Sequence, residues 1–422
     1  MSSKIKKIQA LEILDSRGNP TVEVKAITDN GFCGITSIPS GASTGTYEAL
    51  ELRDNDPNRY RGKGVLKAVE NVNTKLAPAI EGMGVEKQEE IDQKMIKLDG
   101  TENKAKLGAN AILGVSLACA KAAAASQRAP LYQYLRSLTS IKGEYQFPLP
   151  MMNVINGGKH ADSGLDIQEF MIVPRAAEFK ERIRMGAEIF YSLKSVLETK
   201  NLPVSVGDEG GFAPHLNSHK EAMDLILLAI SKTNYTVGSD VSLALDSAAS
   251  EFYKSEAEKY FLQLENLSLS SEEIIKMYED WLANYPIISL EDGLSEDDWN
   301  GWVKLTAKLK DKIQLVGDDL FVTNIERLKK GIDQSIANAI LIKLNQIGTL
   351  TETLKCIQVA KDNGYRIVIS HRSGETSDTV ISDLSVAVNA EYIKTGSLSR
   401  GERVVKYNRL MEIEKEFSMI NS

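Results

Sequence analysis

Six short apolar runs in the second half of the chain each end on an ionisable residue: VSLALD on Asp246, PIISLE on Glu291, QLVGD on Asp318, AILIK on Lys343, RIVISH on His371 and EYIK on Lys394. Successive ends lie 45, 27, 25, 28 and 23 residues apart. The four shorter intervals fit one strand, one helix and two loops, the length of a βα repeat. Continuous Val/Ile/Leu runs mark parallel strands covered on both faces. A closed barrel of such repeats collects its polar residues at the C-terminal strand ends. The pattern therefore predicts an α/β barrel enzyme whose site converges three carboxylates, two lysines and one histidine.

A chain of 422 residues exceeds the size at which one core keeps growing, so a smaller unit beside the barrel is expected. The net charge of −8 argues against a general nucleic-acid-binding surface. Three dispersed cysteines, Cys33, Cys119 and Cys356, exclude a disulfide framework and a thiolate zinc site, and suit a reducing compartment. The start MSSKIKKIQALEI has no apolar signal core, so a cytoplasmic location is expected. Leu107–Ala125 is the most hydrophobic stretch, but Asn110, Ser116 and Lys121 interrupt it, which predicts a buried helix rather than a membrane span.

The first 140 residues have a different texture. Thr21–Val24 and Gly31–Ile38 read as short antiparallel strands with Asn30-Gly31 as a turn signal, followed by the small-residue loop SGASTG (40–45) and helical patterns over 64–76 and 110–125. Strands first and helices after make an α+β unit. The Gly/Pro-containing segment Lys142–Pro150 is the expected boundary, dividing residues 1–140 from a catalytic unit at 141–422. Beyond it, Ile167–Val173 and Val204–Val206 read as further strands.

Asp246, Glu291 and Asp318 without any thiolate make a hard oxygen site suited to Mg²⁺. Any one of them alone reads equally as a helix cap. Lys343 ends an apolar strand, where burial and a nearby cation would push it toward the neutral amine that a general base needs. Lys394 reads similarly, or as a holder of an anionic substrate. His371-Arg372-Ser373 is an anion receptor, with a guanidinium able to bind phosphate through two bonds. The glycine-rich GDEGG (207–211) offers Glu209 as an acid, and Gln168 and Glu169 open a strand in the same manner. The SGASTG loop lacks a Walker A signature and reads as a mobile lid offering Ser40 or Ser43. His215 and His219 stand four apart, but Leu216 occupies the glutamate position of HExxH, so both read as surface histidines.

Ten motifs in order carry a resemblance along nearly the whole chain: EILDSRGNPTVEV (12–24), PSGASTG (39–45), NGGKHAD (156–162), QEFM (168–171), GDEGGFAP (207–214), LALD (243–246), SLEDG (289–293), GDDL (317–320), LIKLNQIGTLTET (341–353) and SHRSGET (370–376). In these the chain resembles the enolase family. The resemblance implies an N-terminal α+β capping domain on a modified (β/α)8 barrel of order ββαα(βα)6 whose second strand is antiparallel. It implies reversible dehydration of 2-phosphoglycerate to phosphoenolpyruvate. It further implies a first Mg²⁺ on Asp246, Glu291 and Asp318, and a second, substrate-dependent Mg²⁺ reached through Ser40. Lys343 is then the base and Glu209 the acid, assisted by Glu169. Arg372 and Ser373 hold the phosphate, Lys394 meets the substrate carboxylate, and Gln168, His160 and His371 complete the substrate contacts, with His160 on a closing loop. A dimer or octamer is implied as well.

Two departures lie beside these elements: ITSIPS (35–40) in place of RAAVPS, and Gly401 where Ser or Thr is frequent. A Mg²⁺-dependent acid-sugar dehydratase or racemase is the rival within the architecture, and the HRS and GDEGG sets argue against it. The rival from another class is a surface adhesin or an RNA-degradation partner, since family resemblance carries reports of plasminogen binding. The only internal candidate for that role is FYKSEAEKY (252–260), which reads as a solvated helix or turn.

Overall fold

A computed structural model describes residues 3–42 and 45–420 of the chain. The N-terminal sheet has three antiparallel strands, β1 (Ile5–Leu14), β2 (Pro20–Thr28) and β3 (Cys33–Ser37), in the order β1-β2-β3. β1 was not expected from the sequence. It is an edge strand with Leu11 and Leu14 half exposed, so its inside-outside alternation is blurred. Against this sheet packs the helix Ala109–Ser126, nearly every residue of which is buried. It is long and apolar enough to cross a membrane by length and composition, and the protein buries it instead. Its Ile112, Leu113, Val115 and Leu117 each contribute about 1.5–3 kcal/mol of burial. The approach is close enough to require glycine on both sides: a Cβ at Gly34 would lie 2.2 Å from the Ala118 carbonyl oxygen, and one at Gly114 would lie 2.5 Å from Val24 Cγ2. The expected helix over 64–76 begins at Leu66 and passes through a π turn at Val72–Leu76.

The barrel opens with β4 (Leu149–Asn156) and β5 (Glu169–Pro174), then β6 (Val241–Asp246). A small antiparallel sheet of β7 (Tyr253–Lys254), β8 (Lys259–Leu262) and β9 (Leu267–Leu269) follows. The barrel resumes with β10 (Ile287–Glu291), β11 (Gln314–Gly317), β12 (Ala339–Ile342), β13 (Arg366–Ser370) and β14 (Tyr392–Lys394). It closes in the order β10-β11-β12-β13-β14-β4-β5-β6, and β5 alone runs antiparallel to both neighbours. Two helices, Phe179–Thr199 and His219–Ser231, separate β5 from β6, and every later strand is followed by helix, giving ββαα(βα)6. The segment 204–206 forms only an isolated bridge, Val206 to Phe212. The inserted β7–β9 sheet accounts for the one long interval among the six strand ends, and FYKSEAEKY is its first hairpin rather than a helix.

Alternate residues of the barrel strands, among them Met151, Met171, Val316, Leu341 and Val368, form a separate apolar plug inside the barrel. A filled interior leaves the mouth as the place where polar side chains can meet.

Candidate active site

The six sequence-predicted residues stand at one barrel mouth. Asp246, Glu291 and Lys394 end β6, β10 and β14, while Asp318, Lys343 and His371 directly follow β11, β12 and β13. Because β5 runs the other way, it presents its first residue there, so Glu169 pairs with Asp246, and Asp246 with Glu291, at one level of the sheet. Reversal of a single strand thus adds an acid that no strand-end rule would find.

The lysines hold these carboxylates. Lys394 Nζ lies 2.9 Å from Asp246 Oδ2, 2.8 Å from Glu291 Oε1 and 3.1 Å from Glu169 Oε1. Although burial works against its charge, the three carboxylates lift Lys394 well above the ordinary lysine value. Lys343 Nζ is bonded to Asp318 Oδ2, and Gln346 Nε2 donates to Asp318 Oδ1 at 2.8 Å. Burial pushes Lys343 toward the neutral form, but the Asp318 carboxylate outweighs it and raises the lysine above its usual value.

Glu169 and Glu209 form a coupled pair. His160 Nδ1 is 3.5 Å from Glu169 Oε1 and 3.6 Å from Glu209 Oε1. Burial, then the charge of Glu209, raises Glu169 well above the carboxylate range. Glu209 is equally buried, yet His160, His371 and Arg403 hold it well below that range. Asn153 Nδ2 also donates to Glu209 Oε2 at 3.0 Å. Burial thus favours the neutral form at Glu169, and the neighbouring cationic groups favour the ionised form at Glu209. Burial lowers the imidazole of His160, and it lowers that of His371 to about 4. Gln168 Nε2 reaches Asp246 Oδ2 at 3.5 Å.

On the opposite side, Arg372 is paired with Glu48 through both guanidinium nitrogens, at 2.9 and 3.2 Å, and with Asn345 Oδ1 at 2.9 Å. Ser373 Oγ accepts from Arg17 Nη1 at 3.4 Å. Ser40 forms an antiparallel bridge with Gly374, but its hydroxyl donates to Glu51 Oε2 and accepts from Arg53 Nη2, both at 3.0 Å. That hydroxyl is committed to the N-terminal unit, and Ser43 lies outside the described residues. The cavity enclosed by His160, Glu169, Glu209, Lys343, Arg372 and Lys394 measures about 20 Å³, room for one water. Arg372 also lines a neighbouring cavity of about 290 Å³ beneath residues 38–51. A ligand larger than one water must therefore separate these side chains to enter.

Among the described residues, two groups bring three ligand atoms within 4.8 Å of one another: His160–Glu169–Glu209 and Asp292–Asp318–Asp319. The predicted metal trio is split, because Lys394 takes Asp246 and Glu291 while Lys343 takes Asp318. The donor set nevertheless fits a hard cation. Glu291 Oε2 is buried without a hydrogen-bond partner, and burial with the charges of Asp246 and Asp318 raises Glu291 well above the carboxylate range. A divalent ion relieves both conditions.

Comparison with known families matches residues 5–135 to "Enolase, N-terminal domain" and residues 144–421 to "Enolase, C-terminal TIM barrel domain". The chain belongs to the enolase family. It is accordingly a lyase of the enolase superfamily acting on a small molecule, with acidic clusters able to bind metal. The enolase site also contains residues that sequence reasoning missed. Glu48, Arg17, Asn153, Gln346 and Arg403 each bond a predicted residue. Two of these, Arg17 and Gln346, lie inside quoted motifs, and that proximity was the only available signal. The His215/His219 expectation is half wrong. His215 is exposed, but His219 is fully buried between Asp166 and Glu265, since it opens a helix against the loop that follows His160.

Proposed function

We propose that the chain catalyses the reversible, Mg²⁺-dependent dehydration of 2-phosphoglycerate to phosphoenolpyruvate. The observation that carries this reading is one small cavity lined together by the Lys343 amine, the Glu169 and Glu209 carboxyls and the Arg372-Ser373 anion receptor. Loss of water from a 2-phospho-3-hydroxy acid needs these three functions together. Removal of the C2 proton loads negative charge onto an already anionic carboxylate; Asp246, Glu291 and Asp318 would hold the Mg²⁺ that would offset it. Burial, Arg372 and Lys394 each favour the neutral amine of Lys343, while Asp318 and Asp319 oppose it, and a cation held by Asp318 would weaken that opposition. Lys343 then takes the C2 proton. Glu209, assisted by Glu169, gives a proton to the departing C3 hydroxyl, which leaves as water. Arg372 exchanges the carboxylate of Glu48 for the substrate phosphate, an anion that likewise offers the guanidinium two oxygens and carries more charge. Lys394 meets the substrate carboxylate.

The test is Mg²⁺-dependent growth of phosphoenolpyruvate absorbance from 2-phosphoglycerate, run beside a panel of sugar acids. Turnover of a sugar acid with no phosphoenolpyruvate formed would sink this reading and leave the family assignment intact.

A further inference from the structure

Arg403 is fully buried and reaches two turns at once. Its Nη2 donates to the carbonyl oxygens of Asp208, at 3.0 Å, and Ser373, at 2.5 Å. Its Nη1 donates to the carbonyl oxygen of Arg372 at 2.6 Å, and lies 2.7 Å from His371 Nδ1. The side chain passes Gly396, where a Cβ would stand 2.8 Å from Arg403 Cδ, so glycine there leaves its path open.

A guanidinium has five donors and no acceptor, so the ring nitrogen facing it must offer a lone pair. In a neutral imidazole the proton is then on the other nitrogen. His371 Nε2 is buried and faces Glu209 Oε1 at 3.3 Å. Among the described groups, Glu209, Glu375 and Arg403 are the charged ones nearest the ring. An imidazolium would set an N–H against the guanidinium, so the contact opposes the charged form as well as the other tautomer. The same guanidinium ties the turn before Glu209 to the turn carrying His371, Arg372 and Ser373.

We propose that Arg403 is a positioning residue that fixes His371 as its Nε2–H tautomer, holding that proton toward Glu209 and the cavity as a donor for the ligand. The tautomer follows from the contact alone, whereas its use in turnover rests on the reaction proposed above. Loss of the donor should lower kcat by roughly 10- to 100-fold, the usual effect of removing a group that orients a functional histidine, with KM little changed.

The chain contains four histidines, so ¹⁵N-histidine labelling gives a tractable imidazole spectrum, and His371→Gln assigns the signal of interest. In the wild type at neutral pH the expected pattern is a protonated Nε2 and a bare Nδ1. Arg403→Lys keeps a donor on Nδ1 and should preserve this pattern while losing the tie between the turns. Arg403→Met should yield the other tautomer, a mixture or the imidazolium. A wild-type ring protonated on Nδ1 overturns the proposal, and so does an unchanged pattern in Arg403→Met. If Arg403→Met fails to fold, the wild-type Nδ1 shift still decides it: a lone pair engaged by the guanidinium resonates upfield of a free one, and a free-lone-pair shift overturns the proposal. The expected spectra without phosphoenolpyruvate formation would refute the proposed reaction and leave the tautomer assignment standing.

Discussion

Lys343 and Asp318 are read most sharply against each other, because each is the other's main electrostatic partner. Removing the amine by Lys343→Ala should lower kcat by about 100- to 10,000-fold, the usual worth of a general base. Mg²⁺ affinity measured by calorimetry should hardly change, and retention of full activity would remove Lys343 as the base. Asp318→Asn acts on the other side of the contact. It takes away a charged oxygen donor, so half-activation should need roughly 10- to 100-fold more Mg²⁺. An unaltered Mg²⁺ dependence would show that Asp318 is no ligand. The sequence showed both residues, since each closes an apolar run, but not their protonation. That depends on a contact between strand ends 25 residues apart, which no local pattern encodes.

The loop after His160 is anchored at its far end by a buried element junction. Asp166 accepts the backbone N–H groups of Gln263, at 2.9 Å, and Leu264, at 3.1 Å, and stands 3.3 Å from His219 Nε2. Glu265 Oε2 lies 3.1 Å from His219 Nδ1. Burial opposes the charge of His219, yet Asp166 and Glu265 together raise it above 6.5. The two acids are in turn held below 3.8 and 4.5. A raised histidine stabilises fully below its unfolded value and loses that contribution as pH rises through the folded value. Depressed acids stabilise above their unfolded values and lose the effect as pH falls. The junction is therefore strongest between about pH 4.5 and 6.5. His219→Gln should cost about 1–3 kcal/mol there and progressively less toward pH 9. Melting temperatures of both proteins across that range check this, and a constant gap would refute the charge pairing. The inserted strands β7–β9 that complete the junction escaped sequence reading because two to four residues carry too little periodicity to separate strand from loop.

At the scale of the molecule, a buried carboxylate joins the helix Gln88–Asp99 to the barrel helix Leu350–Asp362. Asp92 Oδ2 accepts from Thr351 N at 3.0 Å and Oγ1 at 2.6 Å, and Gln88 Nε2 donates to both carboxylate oxygens. Burial raises Asp92 above its usual value despite these donors, so the fold prefers it protonated and loses stability as pH rises from 3.8 toward the raised value. Asp92→Ala leaves the donors unmet and should cost about 1–3 kcal/mol. Asp92→Asn keeps an acceptor without the charge and should cost less at neutral pH. Urea midpoints compare them, and equal losses would show that the charge is immaterial. The barrel itself was legible because each parallel strand is apolar to its end and polar just beyond it. The reversed β5 was not derivable from the six strand ends, since its acid stands at the start of its run, and only family resemblance anticipated it.

Ser16 N donates to the Glu375 carbonyl at 2.7 Å, Ser40 and Gly374 exchange backbone bonds of 2.7 and 2.8 Å, and Glu48 holds Arg372. The turn carrying Arg372 and Ser373 is thus built half by the first fifty residues and half by a segment more than three hundred positions away. Inheritance must treat those stretches as a single unit. A substitution tolerated in one lineage at residues 15–17 need not survive transplantation beside another lineage's HRSGE turn. Chimaeras joined in the 140s, however well each part folds, should therefore differ first in their grip on substrate.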